Sequence, residues 1–154
     1  MGITIHSDAS VKDGIGRGAY VILKKHKGKN NSTETNRHIH RTPTIRTKNS
    51  SYMELITIYQ ALFHAYKLYP DEKNYQVYCD SDDARNKFCS YYKKVLRGTC
   101  DQNFINLTRV MTAGLTKPMP NIIMNNVKAH KNKLGTEAER YNFFVDILSS
   151  MRSN

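Results

Sequence analysis

At 154 residues the chain suits a single domain that buries about two-thirds of its unfolded surface, and no run reaches the ~20 apolar residues that would span a membrane. Lys and Arg outnumber Asp and Glu by 24 to 13, a net charge of +11, which points to a polyanionic partner, nucleic acid above all. Cys79, Cys89 and Cys100 form neither an even set nor a C-x-x-C pair, which argues against a disulfide framework or zinc knuckle and for reduced thiols in a cytoplasmic setting.

Ile3-Thr4-Ile5-His6-Ser7-Asp8-Ala9-Ser10 opens with the period-two alternation of a strand that has one buried face. It delivers Asp8 where the strand is expected to give way to small residues. Asp13-Gly14-Ile15-Gly16-Arg17-Gly18 then reads as a glycine-rich turn leading into a strand over 19–23, together a hairpin. It is not a phosphate cradle, because no helix follows and no Lys-Ser/Thr pair is present. Residues 24–50 are polar and basic, with a third, exposed strand expected inside 34–41 and Pro43 marking its end. His38-x-His40 could chelate a metal, but the sequence offers no suitably spaced third ligand, so both histidines read as surface residues of that strand.

Over 51–69 the apolar residues Tyr52, Leu55, Ile56, Tyr59, Leu62, Phe63 and Tyr66 recur at helical steps until Pro70 stops the run. Ser51-x-x-Glu54 has the spacing of a capping box, which alone would explain Glu54. A strand over 75–79 ends in Asp80-Ser81, and a helix follows through Tyr92, with Asp82 and Asp83 suiting its macrodipole. Lys93, Lys94 and Arg97 make a basic link to a helix over 101–113, closed by Gly114. A strand over 121–127 leads to His130 in a basic polar loop. Thr136-x-x-Glu139, a second capping box, starts a final helix that carries Asp146. The order β-β-β-α-β-α-α-β-α, without repeats or linkers, predicts one domain over 1–154: a mixed α/β fold with three antiparallel strands followed by strands reached through helices.

Asp8, Glu54, Asp80 and Asp146 come from four different elements. Carboxylates brought within a few ångströms repel, and one of them protonates unless a cation neutralises the set. A hard divalent ion with oxygen ligands resolves the conflict, and Mg²⁺ suits a site that also takes phosphate oxygens. Two such ions about 3.5–4 Å apart can activate a water and stabilise the departing oxygen of a phosphodiester. An imidazole in a basic loop, such as His130, can move a proton to or from the leaving group.

Asp8-Ala9-Ser10, Glu54-Leu55 with Ala61-Leu62, Asp80-Ser81, Val127-Lys128-Ala129-His130 and Asn142-x-x-x-Asp146-x-Leu148 resemble, in this order, the motifs of type 1 ribonuclease H. The resemblance spans nearly the whole chain. It implies a five-stranded mixed sheet flanked by helices, two Mg²⁺ or Mn²⁺ ions, and cleavage of the RNA strand of an RNA–DNA hybrid to leave 5′-phosphate and 3′-hydroxyl ends. It further implies that Asp8, Glu54, Asp80 and Asp146 ligate metal and that His130 shuttles a proton or aids product release.

The chain also departs from the family. Counting from His130 alone, the fourth acid would fall near Arg140 or Asn142, neither of them a carboxylate; the spacing to Asn142 and Leu148 selects Asp146. Asn49, Ser50 and Ser51 stand where the family often places an asparagine that contacts nucleic acid. The Trp-rich basic protrusion of some members is shortened to Tyr91-Tyr92-Lys93-Lys94. Ser10, Asn49, Ser50, Ser51, Lys93 and Lys94 are therefore the expected substrate contacts, with small residues at Ala9 and Ser10 admitting the RNA strand closely. A monomer without a separate hybrid-binding domain is expected. The competing readings are a DNA-junction or transposase-type nuclease of the same superfamily, and a non-catalytic nucleic-acid-binding module.

Overall fold

The structure, a computed structural model, describes residues 2–96, 121–127 and 136–151. The strands β1 (Ile3–Lys12), β2 (Ile15–Lys27), β3 (Thr33–Arg41), β4 (Ile45–Arg46), β5 (Asn74–Cys79) and β6 (Asn121–Asn126) form one mixed sheet. A 3₁₀ turn (Lys29–Asn31) and helices α1 (Ser50–Leu68), α2 (Asp82–Leu96) and α3 (Glu137–Ser150) complete the described elements. The sheet runs β3-β2-β1-β5-β6, antiparallel from β3 to β1 and parallel from β1 to β6. This is the expected five-strand path, with one addition: the two-residue β4 pairs with Ile15 and Gly16 of β2. The helix expected over 101–113, together with Cys100 and His130, lies outside the described residues.

The first hairpin differs from its sequence reading. The turn is only Asp13-Gly14, both at positive φ (55° and 74°), joining Lys12 to its partner Ile15. Such a pair forms the two-residue turn whose twist matches that of the flanking strands. Gly16 and Gly18 therefore lie inside β2, and Asp8 lies inside β1 rather than at its end. What ends near Asp8 is the parallel ladder, since β1 pairs with β5 only from Ile3–Tyr75 to His6–Tyr78.

Helices cover both faces of the sheet. On one face Ile3, Ile5, Tyr20, Ile22, Tyr75 and Val77 pack against α1 and against Phe88 of α2. On the other, Ala19, Val21 and Leu23 meet Val145, Tyr141 and Leu148 of α3. Helix α1 is buried nearly all round, which is why its polar residues Glu54 and Thr57 are interior. The cap proposed from Ser51 is not the one used. Asn49 is the N-cap, its side chain accepting from the Tyr52 backbone N–H at 3.0 Å, while the Ser51 hydroxyl bonds Asp83 of α2. Glu54 lies beyond the first turn, which contains no acid, and is left to other contacts. The second capping box forms as expected, with Thr136 and Glu139 satisfying each other's backbone N–H groups at the start of α3.

Candidate metal and nucleic-acid site

The site is assembled where the parallel ladder opens. Continuing the register that pairs His6 with Tyr78 by two residues sets Asp8 of β1 against Asp80, the residue after Cys79 at the end of β5 plus one. Arg85 of α2 donates to the Cys79 carbonyl and ties the strand end down beneath Asp80. Glu54 arrives from α1 on one face of the sheet and Asp146 from α3 on the other. Ser10 anchors that second helix, its hydroxyl donating to the Ser149 carbonyl at 2.9 Å.

All four acids meet at Asp8. Asp8 is 3% exposed, and its carboxyl group hydrogen-bonds to the side chains of both Glu54 and Asp146 and feels the charge of Asp80. Burial first, then Glu54 and Asp80, pushes Asp8 far above the usual carboxylate range. Glu54, 6% exposed, is raised as well, again by burial before any neighbour. The Ala9 backbone N–H donates to Asp8 Oδ1 at 2.9 Å and also bonds Glu54. The Cys79 thiol donates to Glu54 Oε2 at 3.5 Å; burial holds that thiol well above its ordinary pKa, so it remains a donor rather than a thiolate. Ligand atoms of Glu54, Cys79 and Asp80 all lie within 4.8 Å of one another.

This donor set fits a hard divalent cation. Carboxylates disfavoured as anions by burial and by one another's charge are relieved when a cation supplies the missing charge, and the four carboxylates offer oxygen donors. The contact of Cys79 with Glu54 was not expected from the sequence, where its position just before Asp80, at the same strand end, was the available clue. Of the expected substrate contacts, Ser10 is engaged with α3, Asn49 caps α1 and Ser51 reaches α2, while Ser50 is exposed at the first position of α1. Because Ser10 holds the helix that carries Asp146, a bulky residue there would disturb the fold as well as any substrate. Lys93 and Lys94 fall on α2, and their side chains are not among those described.

The chain has a ribonuclease H-like fold. It is similar to LC9-RNase H1, a type 1 RNase H with the type 2 active-site motif. That similarity has a TM-score of 0.58 at 12% identity and covers 95% of this chain and 69% of the other. Lower overlaps occur with the N-terminal RNase H domain of Rv2228c from Mycobacterium tuberculosis (TM-score 0.49, 15% identity, covering 96% and 95% of the two chains). RNase H1 of Halobacterium salinarum gives 0.42 at 14% identity, with 84% and 87% covered. No protein-family model and no curated protein matches this sequence.

Proposed function

We propose that the protein is a divalent-metal-dependent ribonuclease H, an endonuclease that hydrolyses the RNA strand of RNA–DNA hybrids and leaves 5′-phosphate and 3′-hydroxyl ends. The observation that carries this reading is the convergence of Asp8, Glu54, Asp80 and Asp146 on a chain of net charge +11. When bound, two Mg²⁺ ions, or Mn²⁺ on the same donors, supply a polarised water and stabilise the departing oxygen. The four carboxylates hold those ions, each fixed by a different element.

Cys79 and the Ala9 N–H orient Glu54. His130 holds a proton for the leaving 3′-oxygen. Lys93 and Lys94 neutralise phosphates, and Ser10, Asn49, Ser50 and Ser51 border the RNA strand, where 2′-hydroxyls separate a hybrid from DNA. The free thiols of Cys79 and Cys89 suit a reducing, cytoplasmic setting, and the protein acts as a monomer.

The test is divalent-dependent cleavage of hybrid, double-stranded RNA, double-stranded DNA and four-way DNA junctions. Hybrid alone should be cut. Asp8→Asn and Asp80→Asn should each abolish cleavage while circular dichroism and hybrid binding persist. Activity surviving both substitutions would overturn the reading. Junction cleavage would move the protein to another branch of the superfamily, and binding without cleavage would make it a non-catalytic module.

A further inference from the structure

The α1 face of the sheet, at its β3 edge, gathers three imidazoles from two elements. His38 and His40 alternate on one side of β3, opposite Ile22 and Tyr20 of β2. His64 meets them from α1, about 15 Å further along that helix than Glu54. The His40 and His64 rings lie edge to face with centroids 4.3 Å apart, and the Tyr20 ring stacks on His40 at 5.7 Å. The Tyr20 hydroxyl lies 2.9 Å from His64 Nδ1, which leaves Nε2 as the coordinating nitrogen. His38 bonds the Tyr69 hydroxyl through Nε2 at 2.8 Å.

We propose that His40 and His64 form the core of a second metal site, selective for a borderline first-row cation such as Zn²⁺, with His38 as third ligand once it turns from Tyr69. Two imidazoles on one tetrahedral ion, bonded at about 2.0–2.1 Å, hold their ring centroids about 5 Å apart, close to the spacing found here. A ligating histidine commonly engages its other ring nitrogen with an outer partner, the place Tyr20 occupies.

Burial, then His40, His38 and Lys67, keep His64 below its usual pKa, so the ring is neutral and able to ligate at pH 7. Closure of the full trio needs rotation of His38. Among the described residues only Glu54, Cys79 and Asp80 already bring three ligand atoms within 4.8 Å. Imidazole nitrogen selects Zn²⁺ where carboxylate oxygen selects Mg²⁺, so the two sites would fill with different ions. The bound ion would clasp the edge strand β3 to α1.

The test is a Zn²⁺ titration of the whole chain in saturating Mg²⁺, which keeps the carboxylates occupied, read by long-range ¹H–¹⁵N spectra of the imidazoles. His40, His64 and His38 should shift together and saturate at one equivalent, with His6 and His26 unmoved, and Zn²⁺ should raise Tm. His40→Gln and His64→Gln should abolish the shifts and leave hybrid cleavage unchanged. Tyr20→Phe should weaken binding by roughly 10–100-fold, the usual cost of an outer partner. No binding up to millimolar Zn²⁺, or equal binding by wild type and His40→Gln, would overturn the proposal. His40 is exposed on an edge strand, so this variant tests the idea even if His64→Gln fails to fold.

Discussion

Asp8 of β1 and Glu54 of α1 meet through a hydrogen bond between their carboxyl groups in a place almost closed to water. Two acids so placed cannot both ionise cheaply, so one proton is retained between them unless a cation replaces it.

That relationship fixes a pH dependence. Both groups have folded pKa values above their unfolded ones, so the native state binds more protons and stability falls as pH rises. Between about pH 6.5 and 8.5, where ordinary carboxylates are already ionised, the metal-free protein should lose stability. Asp8→Asn should flatten this slope, and saturating Mg²⁺ should remove it. Urea denaturation at three pH values, with and without Mg²⁺, measures it; a slope unchanged in Asp8→Asn would refute the assignment.

His6 gives the opposite slope in a lower window. It lies between the rings of Tyr78 and Tyr141, at 5.0 and 4.8 Å, and burial depresses its pKa from 6.5 to about 4. The unfolded chain therefore takes up a proton that the folded one refuses between those values. Stability, complete above pH 6.5, should drop by about 3 kcal/mol as pH falls to 4, at about 1.4 kcal/mol per pH unit. His6→Phe keeps the stacking and removes a buried Nδ1 that has no partner among the described residues. Thermal melts should show the variant gaining on wild type below pH 6 and matching it or better at pH 7.

Gly18 sets how closely α1 seats on β2. A Cβ there would lie 2.1 Å from Thr57 Oγ1, a hydroxyl already bonded to the Met53 carbonyl at 2.8 Å. Gly18→Ala should cost about 1–3 kcal/mol through overpacking. It should also slow hybrid cleavage, because the same helix carries Glu54. Adding Thr57→Ala should recover part of both losses, a non-additivity that denaturation and kinetics of the double variant would reveal.

The start of α1 offers a simple discrimination. Asn49→Ala removes the cap used and should cost about 1 kcal/mol, whereas Ser51→Ala removes only a bond to Asp83 and should cost less. Equal losses in chemical denaturation would return the cap to Ser51.

Periodicity is a local property, and so most elements were legible: α1, α3, β3, β5 and β6 begin and end within a residue or two of where apolar spacing, Pro43, Pro70 and the Thr136 capping box put them, whereas β2 extends well beyond 19–23 at both ends and β4 was not expected. The four acids could be picked out as candidates along the chain, although Asp8 lies inside β1 rather than at its end and Glu54 beyond the first turn of α1. What no local pattern could tell was who faces whom. Ser51-x-x-Glu54 has the spacing of a cap, yet the backbone N–H groups at that helix end are served by Asn49 and Glu54 is spent on Asp8. His38-x-His40 lacked a third ligand along the chain, and α1 carries His64 to within 4.3 Å of His40 across the sheet face. Contacts between elements depend on the register of β1 with β5 and on the seating of α1 over Gly18, both set by collective packing rather than by neighbours in sequence.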